Sequence, residues 1–86
     1  MTNQIQQTLA QRGKQYGDFA DVATMSQQLK GILHHTNTQL SAVQKEAVEM
    51  ICVKLARICA GVDPSYADNW RDIAGYAVLG GQLEKE

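Results

Sequence analysis

The sequence has little of what marks several large protein classes. It contains one proline, one tryptophan and two cysteines in 86 residues, with a net charge of -1. That charge offers no electrostatic basis for binding a nucleic acid polymer. No apolar run approaches the roughly 20 residues of a membrane-spanning helix, and the polar start MTNQIQQTLAQ lacks the apolar core of a signal peptide. We therefore expect a cytoplasmic protein without a membrane or nucleic acid partner.

The two cysteines are not spaced for an internal disulfide. Cys52 and Cys59 fall on one predicted helix, where a rise of 1.5 Å per residue sets their Cα atoms about 10 Å apart. There is no Cys-x-x-Cys motif, so a zinc site is not expected either. Buried free thiols are the expected state.

The length of 86 residues indicates a single domain, residues 1–86, with a thin core. The segment 41–60 reads SAVQKEAVEMICVKLARICA and is apolar on more faces than one small domain can cover. This pattern favours a dimer or a higher oligomer.

The apolar spacing predicts an all-α fold of about four helices, because no alternating strand pattern is present. The first helix is expected at about residues 3–15 and the second at about 19–33, with Asp18 as its N-cap. A capping box, Ser41-x-x-Gln44, predicts the start of the third helix, which runs to about Ala60 with Gly61 as its C′ residue. A similar box, Ser65-x-x-Asp68, predicts the start of the fourth helix, which weakens at Gly80-Gly81.

Acidic side chains stand out on the last two predicted helices. Glu46 and Glu49 are three residues apart on the third helix and share one face. On the fourth helix, Asp68, Asn69, Asp72 and Tyr76 share one side. The opposite side is expected to form the core contact; it carries Tyr66, Trp70, Ile73, Ala74 and Ala77.

Two interpretations of this acidic group remain open. Carboxylates that converge from facing helices suit magnesium, a hard cation that prefers oxygen ligands and also binds substrate phosphates. The same carboxylates could instead form a salt-bridge network. Their cationic partners would then be Lys45, Lys54, Arg57 and Arg71.

The motif Glu46-x-x-Glu49, followed on the next helix by Asn69-x-x-Asp72, resembles the signature of the all-α nucleoside-triphosphate pyrophosphohydrolases, the MazG-like superfamily. Three blocks, RGKQYGDF, QKEAVEMICVKLARI and SYADNWRDIAGYA, are similar to those of small phage and prophage proteins of MazG-like character. The resemblance extends from about Arg12 to Leu79.

The resemblance implies an antiparallel helical bundle that completes its site as a homodimer or homotetramer. The implied activity is magnesium-dependent hydrolysis of a nucleoside triphosphate, in particular a deoxynucleotide, to the monophosphate and pyrophosphate. Glu46, Glu49 and Asp72 would be the catalytic magnesium ligands, and Asp68 a further ligand. The implied substrate-binding residues are Arg12, Lys14, Tyr16, Lys54, Arg57, Asn69 and Tyr76, with Tyr16 as a base-stacking group.

One departure from the family pattern leaves alternatives open. Asn69 occupies the position of the family's third glutamate, so one ligand charge is missing unless Asp68 supplies it. The alternatives are a protein that binds a nucleotide without turnover and a structural helical accessory protein of a phage or prophage.

Overall fold

The computed structural model describes residues 2–36 and 38–85, apart from the side chains of Thr2, Lys14, Gln15 and Lys85. These residues form four α-helices and a short 3-10 helix at Leu83–Lys85, and this part of the chain contains no strand. The predicted all-α fold of about four helices is therefore confirmed. The helices are α1 Thr2–Tyr16, α2 Phe19–Leu33, α3 Ala42–Ala60 and α4 Ala67–Gly81.

The central helix is α3, and its contacts fix the directions of its neighbours. Near its start, Ala47 lies beside Gly80 at the end of α4, and further along Lys54 bonds to Asp72. The two helices therefore run antiparallel. The helix α2 also runs antiparallel to α3, since Glu49 contacts His34 just after the end of α2 and Val53 shares a groove with the earlier α2 residue Val22.

The predicted capping box of α3 is present. The Gln44 backbone N–H donates to Ser41 Oγ at 3.1 Å, and the Ser41 N–H donates to Gln44 Oε1 at 3.0 Å. Two orphan donors are thereby satisfied at the helix start. At the other end Gly61 is the C-cap itself, in an extended conformation with φ -76°, so the helix ends without the left-handed residue that a C′ glycine supplies.

The predicted capping box of α4 is wrong. The helix begins after Tyr66, which makes no side-chain capping bond. The backbone N–H of Ser65 donates instead to Asp63 Oδ1 at 2.9 Å, so Asp63 forms a local turn around Pro64. Ser65 therefore lies in the loop and not at the N-cap of α4. At the start of α2, Asp18 takes the predicted N-cap position but also makes no side-chain capping bond.

The buried face of α4 is not the one predicted from the sequence. Trp70 is 53% exposed, and its indole N–H donates to the Pro64 carbonyl at 2.8 Å. Tyr66 and Ile73 are half-buried as expected. The face that meets α3 instead carries Asn69, Ile73, Tyr76 and Gly80, whereas Ala74 and Ala77 are exposed.

Two small residues determine which side of α4 meets α3. A Cβ atom placed on Gly80 would lie only 2.6 Å from the Cβ of Ala47. This close approach is possible only with glycine, and it selects the face that carries Gly80. The number of apolar residues would favour burial of the Trp70 side of α4. The close approach of the α3 and α4 backbones at Ala47 and Gly80 outweighs that preference.

The core within one chain is small, as the length predicts. Cys52 is buried as expected, but Cys59 is exposed, so the prediction that both thiols are buried is half wrong. Within the described residues, no helix combines the length and apolarity needed to cross a bilayer. The buried apolar residues are Val22, Ala47, Cys52 and Ala56.

Candidate functional site

The two glutamates of α3 differ in their surroundings. Glu46 is exposed. Glu49 has a side chain only 28% exposed, and its Oε2 lies 3.1 Å from Nε2 of His34. No sequence pattern predicts this contact, because His34 lies in the turn after α2 and reaches Glu49 only through the packing of α2 on α3. Glu49 is thus held by a contact between α3 and the end of α2, whereas Glu46 faces solvent.

The shortest ion pair among the described residues joins α3 to α4. The Lys54 ammonium lies 2.9 Å from Asp72 Oδ2, with side chains 9% and 48% exposed respectively. A buried ammonium is costly without an opposite charge. Asp72 supplies that charge, so this predicted magnesium ligand is engaged by a lysine of its own chain.

Asp68 has two partners within α4 and its cap. Arg71 Nη1 lies 3.4 Å from Asp68 Oδ1, and the Tyr66 hydroxyl donates to Asp68 Oδ2 at 3.1 Å. The bond to Asp68 raises the pKa of Tyr66, because a phenol that donates to a carboxylate resists losing its proton. The salt-bridge interpretation of the acidic group includes pairs of this kind, and two of them, Lys54–Asp72 and Arg71–Asp68, are present.

Asn69 is the largest fully buried side chain, at 1% exposure. Neither its amide nitrogen nor its amide oxygen has a hydrogen-bond partner among the described residues. Buried amides normally have partners, so an orphaned one requires an explanation. The Asn69 side chain is therefore enclosed in the protein and not presented to solvent.

The four predicted carboxylate ligands fit a magnesium ion only in part. Among the described residues, no three Asp, Glu, His or Cys side chains form a group that could hold a metal. Magnesium needs only one or two protein carboxylates when waters and phosphate oxygens complete its shell. Glu46 and Glu49, one turn apart on α3, fit that smaller ligand set. The fuller set, with Asp68 and Asp72, stays a prediction.

A groove lies where the end of α1 and the start of α2 meet α3. It encloses about 510 Å³, within the usual range for small-molecule sites. Its charged groups are Arg12, Arg57 and Asp18, and its aromatic groups are Tyr16 and Phe19. The remaining lining residues are Leu9, Gly13, Gly17, Val22 and Val53.

Tyr16 and Arg57 are tied together at one wall of this groove. The guanidinium carbon of Arg57 lies 4.6 Å from the centroid of the Tyr16 ring, which is a cation–π contact. The edge of Tyr16 also meets Tyr66, with ring centroids 5.8 Å apart and planes at 75°. Two residues predicted to bind substrate are thus brought together.

Gly17 allows the groove to form. Its φ of +88° lies in the left-handed region, and a Cβ there would collide with the backbone carbonyl of Ala60 at the end of α3. Only glycine meets both conditions. The nearby Gly13 remains inside α1, so only the second glycine of the RGKQYGDF block breaks the helix.

The other predicted substrate-binding residues are dispersed. Tyr76 lines a separate depression between α3 and α4, together with Ala47 and Gly80. The side chain of Lys14 lies outside the described part of the chain. Phe19, which is not among the predicted substrate-binding residues, is 82% exposed at the groove. The adjacent glycine break in the sequence could have suggested this.

Residues 2–84 match the sequence profile of a family described as "Domain of unknown function (DUF6378)". No curated protein and no solved structure matches the chain. The match covers all but the ends of the chain. The protein therefore belongs to the DUF6378 family.

Proposed function

We propose that the protein is a magnesium-dependent (deoxy)nucleoside-triphosphate pyrophosphohydrolase that releases a nucleoside monophosphate and pyrophosphate. The observation that carries the proposal is a row of side chains along α3. Glu46, Glu49, Val53 and Arg57 follow one another at intervals of three or four residues, so they share one side of the helix. Two carboxylates occupy one end of this row, and the groove occupies the other.

The length of this row suits an extended triphosphate. At 1.5 Å per residue, Glu49 and Arg57 are separated by about 12 Å along the helix axis, comparable with the length of a nucleoside triphosphate. A nucleotide lying along α3 would place its base against the aromatic rings of the groove and its phosphates between Arg57 and the glutamates. The resemblance of the three sequence blocks to MazG-like proteins supports the same assignment.

The residues of this chain would act on the triphosphate in distinct ways. Glu46 and Glu49 are the residues that would hold a magnesium ion, and the chemistry it would supply is neutralisation of phosphate charge and a lowered pKa of a water molecule. As the water oxygen bonds to the α-phosphorus, the bond to the bridging oxygen breaks and pyrophosphate leaves. One of the two glutamates accepts the proton of the attacking water. Arg57, in reach of the groove, stabilises negative charge on the phosphates.

In this proposal Asp72 exchanges its partner, the Lys54 ammonium, for the metal ion. Its Oδ2 is bonded to Lys54, so both of its oxygens become available to an ion when the Lys54 ammonium finds another anion. A phosphate oxygen is the anion that the proposal provides. Asp68 would need the same release from Arg71 and Tyr66.

The proposal includes assembly as a homodimer or homotetramer in the cytoplasm. Large apolar side chains remain exposed on a single chain, and contiguous patches of this kind mark association surfaces. Examples outside the groove are Val62 at 78% and Ile5 at 66%. Association would cover part of this surface and enlarge the small core.

A second candidate function is nucleotide binding without turnover, and Asn69 favours it. An amide at the family's third acidic position removes one ligand charge, and its burial withholds it from a solvent-borne ion. A protein of this kind would keep the groove and its arginines. It would bind the triphosphate and release no pyrophosphate.

Substitution of Glu49 by glutamine tests the hydrolytic proposal. We expect Glu49→Gln to reduce magnesium-dependent pyrophosphate release by at least about 100-fold, since a general base contributes that much or more. Circular dichroism should show unchanged helical content. Glu84→Gln is the matched control, because Glu84 is an exposed glutamate outside the four helices, and it should retain full turnover. Turnover by Glu49→Gln at the normal rate would refute the proposal.

A further inference from the structure

The groove beside α3 contains two aromatic rings in different situations. Tyr16 has Arg57 over its face and Tyr66 against its edge. Phe19 is 82% exposed although it lines the same groove. A planar ligand therefore finds an uncovered aromatic surface at Phe19, whereas the ring of Tyr16 already has partners.

The charges of the groove favour an anionic ligand. Arg12 and Arg57 contribute two guanidinium groups to the lining, against the single carboxylate of Asp18. Guanidinium groups match phosphate oxygens in geometry and charge. A ligand that is planar and apolar at one end and phosphorylated at the other fits this combination, and a nucleotide has that chemistry.

We propose that Phe19 is the base-stacking residue of this groove and that Tyr16 is a positioning residue, which holds the Arg57 guanidinium toward the phosphates. This assignment rests on the proposed nucleotide function and changes the role expected for Tyr16. Gly17 supports it by turning the chain sharply between the two rings, so that they lie on separate elements, α1 and α2.

The stacking role is tested by calorimetric titration of the full chain with two ligands, a deoxynucleoside triphosphate and inorganic tripolyphosphate. Calcium replaces magnesium in both titrations to limit turnover. We expect Phe19→Ala to weaken the deoxynucleotide by about tenfold or more, in the range of base–aromatic stacking, and to leave tripolyphosphate binding unchanged. Phe19→Tyr should restore nucleotide affinity. Ile32→Ala is the matched control, because Ile32 is an apolar residue of α2, 70% exposed and outside the groove.

The role of Tyr16 is tested with the same two ligands. Tyr16→Leu should weaken tripolyphosphate and nucleotide by the same factor, because both depend on Arg57. Tyr16→Phe keeps a ring under the guanidinium and should restore binding, which a general packing defect in Tyr16→Leu would not predict. Equal loss in both variants would overturn the positioning role.

Other outcomes separate this inference from the proposed hydrolysis. Nucleotide affinity unchanged in Phe19→Ala overturns the stacking assignment, and hydrolysis by that variant with an unchanged KM would leave the proposed function standing. If nucleotides bind through Phe19 and no pyrophosphate forms with magnesium, the hydrolytic proposal fails and the subsite stands. If no nucleotide binds at all, both are overturned.

Discussion

The ammonium of Lys54 lies 2.9 Å from the carboxylate of Asp72, and this bond joins a buried cation on α3 to a half-exposed anion on α4. No other lysine or arginine among the described side chains is buried. The pair therefore has two consequences. It fixes the register of the two helices, and it engages a carboxylate that the proposed reaction needs.

Removal of the Asp72 charge should destabilise the fold. Asp72→Asn leaves the Lys54 ammonium buried without its anion, and fully buried pairs lose about 3–5 kcal/mol in such a change. Because Asp72 is half exposed, we expect about 1–3 kcal/mol, discounted for solvent screening. Urea unfolding followed by circular dichroism measures the free energy of unfolding.

Asp68→Asn is the control for that comparison. Its partner Arg71 is largely exposed, and the two are neighbours on α4, so the loss should stay below about 1 kcal/mol. Equal free energies of unfolding for the Asp72 and Asp68 variants would show that the Lys54–Asp72 bond does not stabilise the fold.

The close contact between α3 and α4 predicts opposite effects at two glycines of one helix. Gly80→Ala places a Cβ 2.6 Å from that of Ala47, and overpacking of this kind costs about 1–3 kcal/mol. Gly75→Ala meets nothing within 4 Å, so higher helix propensity should stabilise the protein by up to about 1 kcal/mol. Thermal unfolding of both variants should give shifts of opposite sign, and equal shifts would contradict the observed helix contact.

The two thiols should differ in reactivity. Burial raises the pKa of Cys52, and the nearby Glu49 charge raises it further against the opposing effect of Lys30. A raised pKa leaves less thiolate at any pH below it, and the thiolate is the reactive form. With a thiol reagent at pH 8, Cys59, which is exposed, should react at least about tenfold faster.

The variant Cys59→Ser isolates the slow thiol. Its remaining Cys52 should be labelled slowly in native protein and rapidly in urea, whereas Cys52→Ser should be labelled rapidly in both. Rapid labelling of Cys52 in the native state would contradict its burial.

Local sequence signals predicted the elements of this fold well. The α2 bounds and the capping box at Ser41 depend on a few adjacent residues, and both are confirmed. The face of α4 depends on Gly80 meeting Ala47, 33 positions earlier, and no local pattern contains that information. The prediction that Trp70 lies in the core is therefore wrong.

The candidate site likewise has features that local sequence patterns predict and features that depend on how the helices pack. The pairing of Glu46 with Glu49 follows from helical spacing, and the RGKQYGDF block pointed to Arg12 and Tyr16. The bonds from Glu49 to His34 and from Asp72 to Lys54 depend on helix packing. They could not be predicted from spacing, which allowed several cations as partners.

Pyrophosphate release from a panel of ribo- and deoxyribonucleoside triphosphates, measured with and without magnesium, tests the central claim most directly. The account predicts release that requires magnesium and is confined to one or a few of the triphosphates, with the matching monophosphate formed in equal amount. Absence of release from every triphosphate, by protein that is folded and binds them, would contradict hydrolysis and make the buried Asn69 the first position to replace by glutamate.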